Sequence, residues 1–188
     1  MNEFRHNIFG VPIWGLFLND HQYQSMDYIQ RLFEIVETEP TQKKSNQNGY
    51  QTRDDLNDTE PIFKELVIRI NNLSNQILDT VLENQHPPRV EIKEMWGNIN
   101  YHQNFNWAHT HGGILSGVFY LKVPENSGKL IFLNPSVRSH ASLIKEPNYV
   151  IQPENLACIL FPSWLEHLVE PNQSQEPRIS ISFNIDIK

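Results

Sequence analysis

His109, Thr110 and His111 set two imidazoles two residues apart. On an extended chain, side chains at i and i+2 point to the same face, so both rings would serve one site. Gly112 and Gly113 follow and would let a ligand or a second strand approach closely. A third histidine, His167, lies far off in sequence, behind the turn Phe161-Pro162-Ser163-Trp164. An antiparallel barrel could bring it back beside the first pair. Three imidazoles on one side of a metal leave positions open opposite, as a metal that takes a co-substrate and oxygen requires. Ordinary core or surface histidines would give the same spacing, so the surrounding pattern has to decide.

That pattern is clearest in the last ten-residue run, RISISFNIDI. Arg178, Ser180, Ser182, Asn184 and Asp186 share one face, and Ile179, Ile181, Phe183, Ile185 and Ile187 share the other. Such alternation is the signature of a half-buried strand. If helices cover the apolar face, the polar face turns inward and lines a cavity, a place for chemistry rather than packing. A guanidinium and a hydroxyl at Arg178 and Ser180 suit a carboxylate, through charge-assisted bidentate hydrogen bonds. A buried structural ion pair is the plainer alternative. Tyr120, in GVFYLKV, could add a phenol to the same carboxylate, although a core tyrosine is the simpler expectation.

The segments WAHTHGGILSGVFYLKVPENSGKLIFLNP and ILFPSWLEHLVEPNQSQEPRISISFN closely resemble the 2-oxoglutarate- and Fe(II)-dependent oxygenase family of many bacteria and phages. More distantly they are similar to the prolyl 4-hydroxylase group. The resemblance covers about residues 90–188, and the ordered set HxH, SGVFYL, FPSWLEH, RxSxSFN is far more specific than any one part. It implies a double-stranded β-helix (jelly roll) that holds Fe(II) and uses 2-oxoglutarate and O2, releasing succinate as it oxidises a substrate. His109 matches the first metal-ligand histidine and His167 the distal one. Arg178 and Ser180 match the pair that binds the far carboxylate of 2-oxoglutarate, with Tyr120 matching a tyrosine that assists. His111 departs from the pattern, since the wider superfamily has Asp or Glu there. A metal set of His109, His111 and His167 is the expectation. The alternatives are a two-histidine site completed by water or an anion, and a metal other than iron.

Two other functions compete. A cupin-type three-histidine metal enzyme would not use 2-oxoglutarate, and it gives Arg178 and Ser180 no task. A non-enzymatic jelly-roll binding module would carry its histidines incidentally. Fold alone cannot choose among these.

Several elements must hold such a site. From Val90 onward eight strands are expected, over 90–100, 107–111, 114–122, 129–133, 148–152, 156–161, 166–170 and 178–187, with proline and glycine between them. The chain reads as one mainly β domain, 1–188. Residues 1–88 supply an N-terminal strand and supporting helices, and 89–188 the β-helix core. Residues 8–18 read as an extended apolar segment. Asn19 or Asp20 could cap a helix to about Glu37, with Tyr23, Met26, Ile29, Leu32, Phe33 and Val36 as its apolar stripe. The polar stretch 38–58 reads as a long surface loop, a possible lid. Thr59 would cap a second helix with Pro61 in its first turn, and its stripe would run from Phe63 to Val81, before Pro87 and Pro88.

Weaker candidates surround the motif. Asn98, Asn100, Tyr101 and Asn104 could line the pocket mouth. Trp96, Trp107 and Trp164 could shape the cavity or pack in the core. Arg138, His140 and Lys145 fall in a long inter-strand segment suited to substrate contacts or to plain solvation. His6, His21 and His86 read as surface residues, and Cys158 as a buried small hydrophobe.

Composition sets the outer limits. The chain has 188 residues, net charge −7 and no basic run, which argues against a nucleic-acid partner. One cysteine precludes an intrachain disulfide, and with no signal-peptide pattern a cytoplasmic setting is expected. No apolar stretch approaches the ~20 residues of a membrane span. The expected partner is a small-molecule or peptide substrate, with a homodimer conceivable.

Overall fold

The computed structural model describes residues 3–8, 10–82, 86–135 and 148–188. The N-terminal half contains β1 (Glu3–Ile8), β2 (Val11–Phe17), α1 (Gln24–Thr38), β3 (Asn46–Gln47), β4 (Tyr50–Gln51), α2 (Leu56–Thr59) and α3 (Lys64–Val81). The C-terminal half contains β5 (Val90–Asn100), β6 (Phe105–His109), β7 (Leu115–Lys122), β8 (Leu130–Leu133) and β9 (Asn148–Ile151). It is completed by β10 (Ala157–Pro162), β11 (His167–Val169) and β12 (Arg178–Ile187). All eight expected strands are present, with ends shifted by one or two residues.

These strands form two antiparallel sheets. One runs β1-β2-β10-β7-β12-β5-β4, and the other β3-β6-β11-β8-β9. From β5 onward successive strands alternate between the sheets, except that β8 and β9 form a hairpin in the smaller one, so each sheet interleaves early and late strands. That winding brings His109 and His167, distant in sequence, into direct cross-strand register.

The long strand β12 sits at the centre of the larger sheet, between β5 and β7. Its apolar face, Ile179, Ile181, Phe183 and Ile185, is fully buried in one core with residues of α1 and α3. Its polar face turns the other way, toward the second sheet. The helices thus do what the alternation demanded: they remove the apolar face from water and leave the polar one inside. Two glycines let this packing close. Leu32 of α1 occupies the space where a Cβ at Gly97 would stand, and the Phe183 ring lies 2.5 Å from a Cβ built at Gly117.

The N-terminal half corrects several expectations. Neither Asn19 nor Asp20 caps α1; residues 19–21 form a single 3-10 turn, and the helix begins at Gln24. Its buried side chains are Ser25, Tyr28, Leu32 and Ile35, while Tyr23 and Met26 are exposed. Ile29, Leu32, Phe33 and Val36 of the expected stripe pack on the core, and Tyr28 joins them by turning inward to meet Phe63 and His21. His21 is no surface residue: it is buried, with its Nδ1 3.1 Å from the Tyr28 hydroxyl. Thr59 ends α2 rather than capping α3, which follows a 3-10 turn begun by Pro61. The α3 stripe holds from Leu66 to Leu78, but Val81 is exposed.

Residues 38–58 are not an irregular loop. β3 adds an edge to the smaller sheet beside β6, and β4 adds one to the larger sheet beside β5. The segment therefore straddles one open side of the sandwich. Arg138, His140 and Lys145 lie outside the described residues, as does the side chain of His6. His86 is exposed. Cys158 is fully buried, and burial pushes its thiol up to about 12, as an inert core cysteine requires.

Candidate metal and co-substrate site

Between the sheets lies a cavity of about 270 Å³. His109, His111, His167, Tyr120, Arg178 and Ser180 all line it, so the structure brings every leading residue into one space.

The three imidazoles arrive by different routes. His109 closes β6 and His167 opens β11, directly opposite each other. A register shift follows before the next pair, Val169 with Asn106. Such a bulge lets Asn106 and His109 both reach the cavity, which strict alternation would forbid. His111 lies beyond the end of β6, so strand periodicity does not aim it. Its N–H donates to the Ser163 carbonyl (2.9 Å), and its ring packs on Trp96 at 5.6 Å between centroids. Gly113, at φ +84°, lets this turn pass Ile185, whose carbonyl would meet an added Cβ at 2.7 Å. A Cβ at Gly112 would meet nothing within 4 Å. Close approach is therefore a property of Gly113 alone.

One nitrogen from each histidine lies within 4.8 Å of the others. His109 Nδ1 donates to the Trp107 carbonyl (2.7 Å) and His167 Nδ1 to the Leu165 carbonyl (2.9 Å). Those bonds fix the tautomers and leave each Nε2 unprotonated, the usual support for a metal-binding histidine; at His109 only the weak contact from the Ser45 hydroxyl, at 3.4 Å, competes. Burial lowers all three pKa values, His111 to about 4 and His167 to about 3, aided by their mutual repulsion. The rings are neutral at pH 7 and can bind a cation without first losing protons. A divalent metal fits this donor set.

The second half of the site is on the larger sheet. Arg178 is 3 % exposed and makes no ion pair with any described residue. Its Nη1 donates to the carbonyls of Ser127 (2.8 Å) and Gly128 (3.3 Å), which fixes one edge of the guanidinium. Burial lowers its pKa, and the Tyr120 phenol is the group that opposes this. A buried cation without a counter-ion is costly, and a bound carboxylate would relieve that cost. Ser180 is buried two residues along, directly paired with Tyr120 on β7. Burial pushes the Tyr120 phenol up to about 12, so its O–H remains a donor. A guanidinium and two hydroxyls thus line one wall, and no described carboxylate pairs with the guanidinium. The dianionic 2-oxoglutarate fits this wall and the metal opposite it.

The weaker candidates divide. Trp96, Asn98 and Asn100 line the cavity, whereas Trp107 and Trp164 are largely exposed and do not. Tyr101 is exposed, and Asn104 serves a turn by accepting from the Tyr101 N–H. Sequence reasoning missed Lys44, Ser45, Gln51, Asp54, Glu94, Asn106 and Thr110, all of which line the cavity. Glu94 was legible, since positions 94, 96, 98 and 100 of a strand alternate onto one face; the register shift beyond Glu94 then turns Ile92 and Val90 to the core. The contributors from 38–58 carried no periodic signal. Among them, Ser45 places its Oγ 3.4 Å from His109 Nε2 and accepts from Asn106 Nδ2 at 3.1 Å.

Residues 94–184 match the family model described as "Putative 2OG-Fe(II) oxygenase". No curated protein matches the sequence. Among solved structures, a Pseudomonas putida prolyl-4-hydroxylase aligns with TM-score 0.65 at 13% identity, over 99% of this chain and 92% of that one. HygX from Streptomyces hygroscopicus, with nickel and 2-oxoglutarate bound, aligns with TM-score 0.65 at 12% identity, over 94% and 83%. A Trichoplax adhaerens prolyl hydroxylase, in complex with a hypoxia inducible factor peptide, aligns with TM-score 0.66 at 14% identity, over 91% and 81%. At such identities the likeness is one of fold, and it establishes the jelly roll.

Proposed function

We propose, for a chain whose residues 94–184 belong to the 2OG-Fe(II) oxygenase family, that His109, His111 and His167 hold the metal and that Arg178, Ser180 and Tyr120 hold 2-oxoglutarate. The observation that carries this assignment is the pairing, across one cavity, of three neutral imidazoles with a buried guanidinium that has no acidic partner among the described residues. The family's chemistry is oxidation of a substrate by O2, with 2-oxoglutarate split into succinate and CO2.

The chain's own residues bind, orient and exclude. Arg178 neutralises the far carboxylate of the co-substrate, and Ser180 and Tyr120 donate to it. The Trp107 and Leu165 carbonyls hold the His109 and His167 rings in the binding tautomer. Phe161 and Phe132 pack on the His167 ring, at 4.7 and 5.9 Å between centroids, and keep water from its far side. With three neutral ligands a divalent metal would keep both positive charges. Together with Arg178 the site would carry three, of which the co-substrate dianion would offset two, which favours an anionic co-substrate there.

The substrate is a small molecule or peptide, and the setting cytoplasmic. Among the described residues no helix is long and apolar enough to cross a membrane. The direct test is succinate formation by protein loaded with Fe(II) and given 2-oxoglutarate in air. His109→Ala and His167→Ala should cut it to below about a hundredth, since loss of a supporting partner alone costs 10–100-fold. Undiminished succinate in both variants would remove the histidines from the mechanism.

A further inference from the structure

We infer that the substrate carries a cationic group, an amine or a guanidinium, which docks against Asp54 and Glu94 at the mouth of the cavity. This inference rests on the oxygenase reading and names the substrate class for the same site.

Polar residues of β5 and β12 form a paired row along the cavity: Asn100 with Arg178, Asn98 with Ser180, Trp96 with Ser182, and Glu94 with Asn184. Arg178 stands at one end and Glu94 at the other, about 20 Å apart at the rise of a strand. The turn that carries His111 crosses near the Glu94 end, where the Ile114 N–H donates to the Ile185 carbonyl. The co-substrate wall and the acidic corner therefore lie at opposite ends of the cavity. Asp54 is fixed beside Glu94, because its carbonyl accepts from the Met95 N–H at 2.9 Å.

The neighbours of these two acids have cations of their own. Glu91 pairs with Lys93 and Lys188, and Asp55 with Arg53. Asp54 and Glu94 line the cavity with no ion pair to any described residue; Glu94 only accepts from Asn184 Nδ2. A second observation lies further along the same row. Gln51 is 5 % exposed and lines the cavity, and its side-chain amide has no hydrogen-bond partner among the described residues. It sits across from Asn98 on β5, between the acidic corner and the co-substrate wall. Its amide opens onto the cavity, where a polar group of a substrate anchored at Glu94 would meet it. Trp96, between Glu94 and Asn98, offers an aromatic face to a cation. Lys44 also lines the cavity, from the segment beside β3, so a probe without a carboxylate isolates the acidic corner.

The test is a titration of n-butylguanidine, its neutral isostere n-butylurea and the anion pentanoate, followed by ligand-observed NMR. The protein carries Zn(II) and 2-oxoglutarate. Butylguanidine should saturate and bind about tenfold tighter than butylurea, from two solvent-reached ion pairs of up to about fivefold each. An Asp54→Asn/Glu94→Gln variant should bind the two probes alike, and added salt should weaken only the cation. Gln51→Ala should weaken both probes. Equal binding of cation and isostere, an undisturbed cation in the double variant, or no cation binding would each overturn the inference. Co-substrate binding, titrated in parallel, separates the two readings. Protein that binds 2-oxoglutarate but no cation loses only the substrate class. Protein that binds the cation but no 2-oxoglutarate loses the oxygenase assignment.

Discussion

Each imidazole of the cluster is kept neutral by burial, and that neutrality has a cost that depends on pH. In the unfolded chain these histidines take up protons near pH 6.5; in the fold His111 resists to about 4 and His167 to about 3. Between those limits the unfolded state binds more protons, so stability falls as pH falls. Metal-free protein should lose melting temperature steadily from pH 7 to pH 4, each such histidine adding up to about 1.4 kcal/mol per pH unit. His167→Gln should flatten the profile, measured by thermal unfolding in chelator; a profile flat in the wild type would contradict the neutral cluster. Tyr120 makes a sharper prediction. Tyr120→Phe should weaken 2-oxoglutarate by about tenfold or more, since a hydrogen bond to a charged group contributes about 1.5–3 kcal/mol. Melting temperature should barely move. At this scale the sequence was informative: the HxH pair, His167, Arg178, Ser180 and Tyr120 all line one cavity. The aim of His111 was not legible, because a backbone bond to Ser163 sets it rather than strand alternation.

The elements act by covering and by crossing. β12 keeps its polar row inward only because α1 and α3 bury the other face. That alternation was the clearest signal in the chain, and it located β12 to the residue, ends included. The place of Tyr28 on the buried face of α1 was hidden, since it reads as an ordinary aromatic until Phe63 and His21 are beside it. The segment 38–58 was hidden for a different reason. Strands of two residues have no period, and their pairing partners supply the order. The closeness of β7, β10 and β12 gives an element-scale prediction. A Cβ at Gly117 would stand 2.7 Å from the Ile159 carbonyl, which belongs to the backbone and cannot swing away. Gly117→Ala should destabilise by about 1–3 kcal/mol, as overpacked cores do. Urea unfolding checks it, and an unchanged midpoint would mean the sheet has room to spare.

Across the whole molecule, charge and topology agree on one division of labour. In the proposed assignment the smaller sheet and the turn after it supply the metal ligands and the larger sheet the co-substrate's, facing each other over one cavity. A bound dianion would offset two of the three positive charges that a divalent metal and Arg178 bring there. The most direct test adds Fe(II) and then 2-oxoglutarate to metal-free protein without oxygen, and records the visible charge-transfer band of the chelate. Wild type, His111→Ala and Arg178→Ala are compared. A band should form in wild type and be lost with His111. In the Arg178 variant it should need about 30-fold or more extra 2-oxoglutarate, the cost of leaving a bound charge unpaired. A wild type that binds Fe(II) but shows no band with 2-oxoglutarate would contradict the central claim.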